Sequence, residues 1–147
     1  MDDAEAQALN RAIRLLSLRH RARAAELLAP LGLSTGQEAL LLELSHAGAT
    51  IQAQLSSALG CEPPSVTVMI RKLEARGIVR RGPSPSDKRA TLVELTDDGR
   101  ALVERIGVVW RQLADETVTG LDDATASGLA GLLMTLTGNI DDRYRIE

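Results

Sequence analysis

Residues 52–99 read QAQLSSALGCEPPSVTVMIRKLEARGIVRRGPSPSDKRATLVELTDDG, and this stretch decides the fold. Its first part has a helical pattern, and Gly60 then supplies a residue that tolerates a positive φ, as a tight turn requires. Pro63 and Pro64 suit the start of a second helix, and Gly77 suits the position just after its end. These signals predict two helices joined by a short turn, which is a helix-turn-helix unit.

The spacing of apolar residues supports the same unit. Two helices that cross steeply need apolar side chains where they touch. When Gln52 is counted as the first position, Gly60 is the ninth, at the turn. Apolar residues then fill the fourth, eighth, tenth, fifteenth and eighteenth positions, and we expect them to be buried: Leu55, Leu59, Cys61, Val66 and Met69.

The second helix of the unit has two different faces. Its apolar face repeats at helical spacing and consists of Val66, Met69, Ile70 and Leu73. The remaining side chains are mostly polar or basic and are expected to point outward: Ser65, Thr67, Val68, Arg71 and Lys72.

After Gly77 the helical period gives way to an extended pattern. Residues 78–81 and 90–95 predict two strands, joined by the loop GPSPSDKR. Its two prolines restrict the loop, so a basic tip is presented at lower entropic cost than in a glycine-serine loop. Thr96 is predicted to cap the next helix, because two aspartates follow it where the helix dipole favours acids.

Two short motifs close this stretch, Asp-Lys-Arg at residues 87–89 and Leu-Thr-Asp-Asp-Gly at residues 95–99. With the helix-turn-helix pattern, they resemble the winged helix-turn-helix of the MarR family of bacterial transcriptional regulators. That family has an Asp-x-Arg wing tip and a closing Leu-Thr-x-x-Gly. The resemblance implies that the Asp87 carboxylate holds the Arg89 guanidinium, so that the arginine can enter a narrow minor groove. It often has Thr at the position of Ser65 and Arg at that of Val68, so this sequence departs from the pattern at both positions.

The resemblance implies a mainly α fold with a small β-hairpin wing. A winged helix-turn-helix lobe over residues 34–99 would lie beside dimerisation helices at 3–30 and 97–141, within a single domain of residues 1–147. It also implies a repressor that binds a pseudo-palindromic operator in double-stranded DNA as a homodimer and is released by a small anionic or phenolic ligand. The residues expected at the DNA are Ser65, Thr67, Val68, Arg71, Lys72, Arg81, Ser86, Asp87, Lys88 and Arg89.

The distribution of charge agrees with a DNA-binding surface. The chain carries a net charge of −3, but residues 65–90 hold seven basic and two acidic side chains, a net +5, which leaves −8 for the rest. Positive potential is thus concentrated in one segment while the acidic remainder repels DNA, which orients the encounter.

The segments on either side are predicted to be helical. Helices are expected over residues 3–29, 34–47, 97–119 and from 122 onward, with a capping box at Ser34 and Gln37 and with Thr50 as the cap of the helix at 52. The first helix and the last two carry apolar stripes that exceed what one small domain covers, so we expect them to be buried against something, and the resemblance implies that a second copy covers them.

Composition excludes several other classes. With one Cys and two His, the chain has no internal disulfide and no obvious zinc site, and we expect no cofactor. It contains no apolar run of membrane-spanning length, and its start is acidic where a signal peptide is basic, so we expect a cytoplasmic protein. No catalytic motif is present, which argues against an enzyme.

Arg14 and His20, on the first helix, are the candidate residues for binding an effector. A guanidinium holds a carboxylate in two hydrogen bonds, and an imidazole donates to a phenol, which suits a small aromatic or carboxylate effector. The alternative for His20 is a partly buried place in the dimer interface. The resemblance implies an effector pocket between the dimer helices and the DNA-binding lobe, and Trp110 either lines that pocket or anchors the fifth helix.

Two alternatives to a ligand-responsive DNA-binding regulator remain open. Cys61 is either a small core residue or a redox switch whose oxidation disturbs the turn and releases DNA. Winged helices also serve as protein-interaction modules, but such a module should show apolar groups on the outward face, and here only Val68 is apolar.

Overall fold

The computed structural model describes residues 1–144. Within that range the chain is mainly helical with a small antiparallel sheet, which confirms the predicted fold class. The elements, in chain order, are α1 (Asp3–Leu28), a 3-10 turn (Ala29–Leu31), α2 (Thr35–Ala47), β1 (Thr50–Ile51), α3 (Gln52–Leu59), α4 (Pro63–Ala75), β2 (Val79–Pro83), β3 (Thr91–Leu95), α5 (Asp97–Thr117) and α6 (Asp123–Tyr144).

The chain divides into two compact units, one spanning Met1–Leu113 and the other beginning at Ala114. The single domain expected over residues 1–147 stays a prediction, and its last three residues lie outside the described part. In the second unit, α6 begins where the sequence predicts, because the Asp122 carboxylate accepts a 2.8 Å hydrogen bond from the Thr125 backbone N–H.

The core of the first unit lies where α2, α4, the sheet and α5 meet. Most of its largest fully buried side chains come from these four: Leu40, Leu41 and Leu44 of α2, Val66, Ile70 and Leu73 of α4, Val79 and Val93 of the sheet, and Ile106 of α5. Leu28 of α1 and Leu55 of α3 are fully buried in the same core. The core is therefore aliphatic, as the lack of Phe requires. In α1 only Ala24 and Leu28 are buried.

The predicted hairpin is present, but the sheet has a third strand that we did not predict. β3 pairs with β2 on one side and with β1 on the other, with Thr50 opposite Val93 and Ile51 opposite Leu92. The prediction that Thr50 caps α3 is wrong, because its hydroxyl donates to the Gly48 carbonyl at 2.9 Å and Ile51 occupies the cap position. Pairing with β3 requires an extended backbone at Thr50.

The junction between the sheet and α5 explains the Leu-Thr-x-x-Gly motif. The Thr96 hydroxyl caps α5 by accepting from the Gly99 N–H at 3.1 Å, as predicted, and lies 2.6 Å from the Gly77 carbonyl oxygen. A Cβ atom on Gly99 would clash with the Ile78 carbonyl. The motif thus fixes α5 against the start of the wing.

Candidate nucleic-acid interface

Helices α3 and α4 form the helix-turn-helix unit. Gly60 ends α3 with φ of 59°, and Gly77 follows α4 with φ of 71°, so each occupies the left-handed conformation that the sequence predicts. Of the five positions expected to be buried, Leu55 and Val66 are fully buried and the other three, Leu59, Cys61 and Met69, are half-buried. Apolar side chains therefore pack the crossing of the two helices, although only two of the five are fully buried.

Four of the five side chains predicted on the outward face of α4 are exposed, and they are Ser65, Val68, Arg71 and Lys72. Thr67 differs, because it is half-buried and its hydroxyl is engaged within the protein. That hydroxyl accepts from Gln52 Nε2 at 2.8 Å and donates to the Pro63 carbonyl at 3.0 Å. Contact of Thr67 with DNA stays a prediction, but its hydroxyl proton is already used.

The Gln52 contact was missed by the sequence analysis. Spacing identified Gln52 only as the first position of the unit. Its carboxamide and the Thr67 hydroxyl, fifteen residues later, lie where α3 and α4 approach each other. The bond ties the start of α3 to the first turns of α4, and so fixes the orientation of the outward face.

The wing is the β2–β3 hairpin with its loop. Backbone bonds close the loop, from the Ser84 N–H to the Ala90 carbonyl and from the Ala90 N–H to the Asp87 carbonyl, both 3.0 Å. The Asp87 carboxylate accepts from the backbone N–H of Arg89 at 2.9 Å. We expected it to hold the Arg89 guanidinium, so the structure corrects the mechanism: Asp87 shapes the turn that carries Arg89.

The basic side chains of this region fall into two groups. Three are engaged inside the protein: Arg76 donates to the carbonyls of Leu31 and Gly32, Arg80 pairs with Glu94 at 2.6 Å, and Arg81 pairs with Glu74 at 2.7 Å. Four others are exposed and have no ion-pair partner among the described side chains: Arg71 and Lys72 on α4, and Lys88 and Arg89 on the wing.

The two ion pairs also appear in the titration of their acids. The hydrogen bond from Arg81 holds the pKa of Glu74 below its ordinary value, and the bond from Arg80 does the same for Glu94. Both acids are thus charged at neutral pH and neutralise their partners. Arg81 was expected at the DNA, and its pairing leaves it with less free charge than Arg89 has.

An open cleft of about 730 Å³ separates the wing from α3. The wing lines it with Asp87 and Arg89, and the helix-turn-helix lines it with Gln52, Cys61 and Glu62 among others. The structure thus brings the wing tip and the start of α3 to one surface. Ser86 and Lys88 are exposed on the same loop, beside the cleft-lining residues.

Arg14 and His20, the candidate effector-binding residues, have different surroundings. Arg14 is exposed and lines a groove on the N-terminal half of α1. The half-buried His20 ring lies with its centroid 6.1 Å from that of Trp110. The Trp110 indole N–H donates to the Glu38 carboxylate at 2.8 Å, which supports the anchor interpretation of Trp110.

Glu38 is a buried acid that the sequence analysis did not single out. It is only 5% exposed, and burial raises the pKa of its carboxyl group, although the bond from Trp110 acts in the opposite direction. In the sequence it is an acid in the first turn of α2, where the helix dipole favours acids, so nothing marked it as a buried group. It ties α2 to α5 beside His20.

Comparison with known proteins gives the family. A MarR family model matches residues 33–91. The HTH-type transcriptional regulator YdgJ of Bacillus subtilis is 30% identical over 111 residues, which cover 76% of this chain and 68% of YdgJ. This chain belongs to the MarR family. It is a MarR-type DNA-binding transcriptional regulator, and the family and its fold are those of DNA-binding regulators, which are not enzymes.

Solved MarR structures extend the likeness to nearly the whole chain. A cysteine-to-serine mutant of E. coli MarR complexed with operator DNA is 28% identical, with a TM-score of 0.77 over 92% of this chain and 99% of that one. BpsR of Bordetella bronchiseptica, whose DNA binding is regulated by 6-hydroxynicotinic acid, is 28% identical, with a TM-score of 0.76 over 88% of this chain and 98% of that one. These matches confirm the winged helix-turn-helix.

None of the helices within the described residues is long and apolar enough to cross a membrane. Cys61, the candidate redox residue, is half-buried, and its thiol lies 3.5 Å from the Leu59 carbonyl oxygen. Its redox role stays a prediction.

Proposed function

We propose that this MarR-type regulator is a repressor that binds a pseudo-palindromic operator as a homodimer, with α4 in the major groove and the wing beside it. One observation carries the proposal. Arg71, Lys72, Lys88 and Arg89 are exposed without an ion-pair partner among the described residues, whereas the neighbouring arginines 76, 80 and 81 are engaged. Unpaired cations on a recognition helix and a wing suit contacts to phosphates and bases.

The exposed apolar stripes support the homodimer. Leu9, Ile13 and Leu16 of α1 are 43–46% exposed, and in the second unit α6 exposes Leu132 and Ile140 by more than half. Burial of apolar surface is favourable, so a second copy that covers these stripes would stabilise both. Two copies related by a twofold axis would place two α4 helices on inverted half-sites.

The outward face of α4 disfavours the protein-interaction module. Val68 is its only large apolar side chain, and Ser65, Arg71 and Lys72 surround it. Interaction surfaces for proteins are depleted of charge at their centre. The regulator is expected in the cytoplasm, where it has access to DNA.

The experiment is selection of bound duplexes from a randomised library, followed by affinity measurements at one fixed salt concentration. We expect two inverted half-sites and a dimer by light scattering. Replacement of Arg71 with Ala should cost about 1–3 kcal/mol per half-site and relax the preference at one position if Arg71 reads a base. Bound sequences without inverted symmetry, or a folded monomer at micromolar concentration, would contradict the proposal.

We also propose that a small anionic or phenolic ligand releases the regulator, with Arg14 and His20 as candidate contacts. The support is chemical, since Arg14 is exposed and His20 lies beside the Trp110 ring, and a structurally similar regulator responds to 6-hydroxynicotinic acid. That acid is the first probe in a thermal-shift and DNA-release assay. Arg14→Ala should weaken its effect while Arg21→Ala, on another exposed arginine of α1, should not; equal responses would remove Arg14 from the site.

A further inference from the structure

Val68 occupies the centre of the outward face of α4. With about 100° of rotation per residue, the buried Val66 and Ile70 each lie about 160° from it around the helix axis. Val68 is accordingly 50% exposed, and its neighbours one turn away are Ser65, Arg71 and Lys72. The helix thus presents an isopropyl group at the centre of its outward face.

The hydroxyl of the adjacent Thr67 does not share the centre of the outward face with Val68. Thr67 faces α3, where its hydroxyl accepts from Gln52 and donates to Pro63. Arg71 and Lys72 are exposed and have long side chains, which can reach phosphates or more distant bases. With α4 in the major groove, the base pair beneath the middle of the helix would be met by Val68.

An isopropyl group distinguishes bases in only one way. In the major groove, the apolar feature of the base edges is the C5 methyl group of thymine, and the other edges present hydrogen-bond donors and acceptors. A valine placed over a donor or acceptor would remove water from it without replacing the hydrogen bond, which is costly. Over a thymine methyl, the same side chain buries apolar surface on both partners.

We propose that Val68 reads the 5-methyl group of one thymine in each half-site, so that it is a specificity-determining residue of the recognition helix. This inference rests on the proposed function, because it requires α4 in the major groove. It assigns a base preference to a position at which this chain departs from the Arg often found in the family.

The test uses the duplex selected from the randomised library and replaces each thymine in turn with deoxyuridine, which removes only the methyl group. We expect one symmetric pair of replacements to weaken binding about four-fold per half-site, the equivalent of about 0.8 kcal/mol for one buried methyl group. Replacement of that T·A pair by C·G should weaken binding further, and 5-methylcytosine at the same place should restore part of the loss.

Protein variants assign the effect to Val68. In Val68→Ala the thymine and deoxyuridine duplexes should bind with affinities that differ less than about two-fold, because the side chain no longer reaches the methyl group. Val108→Ala, the same change at an exposed valine of α5, should keep the full difference. Circular dichroism of both variants checks that they fold.

The possible outcomes separate the two proposals. If the library yields no inverted half-sites, the proposed function fails and this inference fails with it. If half-sites are selected but every deoxyuridine replacement is neutral, or if Val68→Ala keeps the discrimination, then DNA recognition stands and the role of Val68 is overturned.

Discussion

The Gln52 carboxamide donates a 2.8 Å hydrogen bond to the Thr67 hydroxyl and so joins the first helix of the DNA-binding unit to the second. The two residues are fifteen positions apart, and the bond is partly buried. It holds α4 at a fixed angle while leaving its exposed face free. Orientation of a recognition helix matters because base contacts depend on geometry at the level of a single hydrogen bond.

We predict that Gln52→Ala lowers both stability and DNA affinity. Loss of the bond should cost about 1 kcal/mol in the free energy of unfolding, measured by urea denaturation. Operator binding should weaken because α4 is no longer fixed. Gln54→Ala, at an exposed position of the same helix, is the control and should change neither. Equal effects of the two variants would show that the bond has no positioning role.

Arg89 is predicted to provide the phosphate or minor-groove contact of the wing. Arg89→Ala should weaken binding and flatten its salt dependence by up to about two units of slope per dimer, one contact in each wing. Arg80→Ala is the matched comparison, because Arg80 is paired with Glu94, and its change in slope should be smaller. Binding isotherms at several salt concentrations provide the measurement, and an unchanged slope for Arg89→Ala would exclude the contact.

Asp87→Ala is predicted to weaken DNA binding even though it removes a negative charge near DNA. The carboxylate shapes the loop through the Arg89 backbone N–H, and Asp87→Asn should keep part of the affinity because its carbonyl oxygen still accepts that bond. Glu62→Gln, at another acid of the same cleft, should bind as tightly as the wild type or tighter. Tighter binding by Asp87→Ala at every salt concentration would show that Asp87 does not organise the wing.

The buried Glu38 should make stability depend on pH in a specific direction. Because its folded pKa is raised above the ordinary value of 4.5, its contribution favours the folded state at pH below that value and is lost as pH rises through the folded pKa. Glu38→Gln keeps an acceptor for the Trp110 indole, so at pH 7 it should be at least as stable as the wild type.

Glu38→Ala provides the contrast in the same experiment. It leaves the indole N–H without its acceptor, which should cost about 1–3 kcal/mol. Urea denaturation of the three proteins between pH 4 and 8 provides the comparison. If the stability difference between Glu38→Gln and the wild type does not grow in favour of Gln as pH rises, Glu38 has no raised pKa.

Features with local signals were predictable from the sequence. Gly60 and Gly77 adopt left-handed conformations that favour glycine. The Ser34 capping box depends on two residues that are three positions apart, so each feature could be predicted from a few neighbouring residues. Four of the five side chains on the outward face of α4 are exposed as helical spacing predicts, for the same reason. Thr96 and its cap were likewise local.

Features that depend on distant partners were not predictable in this way. Strand β1 has only two residues, and it exists because Thr50 and Ile51 meet β3 more than forty positions later. Sequence spacing could not show that Arg81 forms an ion pair with Glu74 rather than standing unpaired. The Asp87 contact was placed on the correct residue but on the wrong group, since a motif does not specify whether a backbone N–H or a side chain is bound.

The central claim is that α4 and the wing read a specific DNA sequence. Its most direct test is the affinity of the purified protein for the selected operator and for a scrambled duplex of equal length and base composition, at one salt concentration near physiological. The account predicts a preference for the operator of at least about 10³-fold, as specific regulators show over non-specific DNA. Equal affinity for the two duplexes would contradict it.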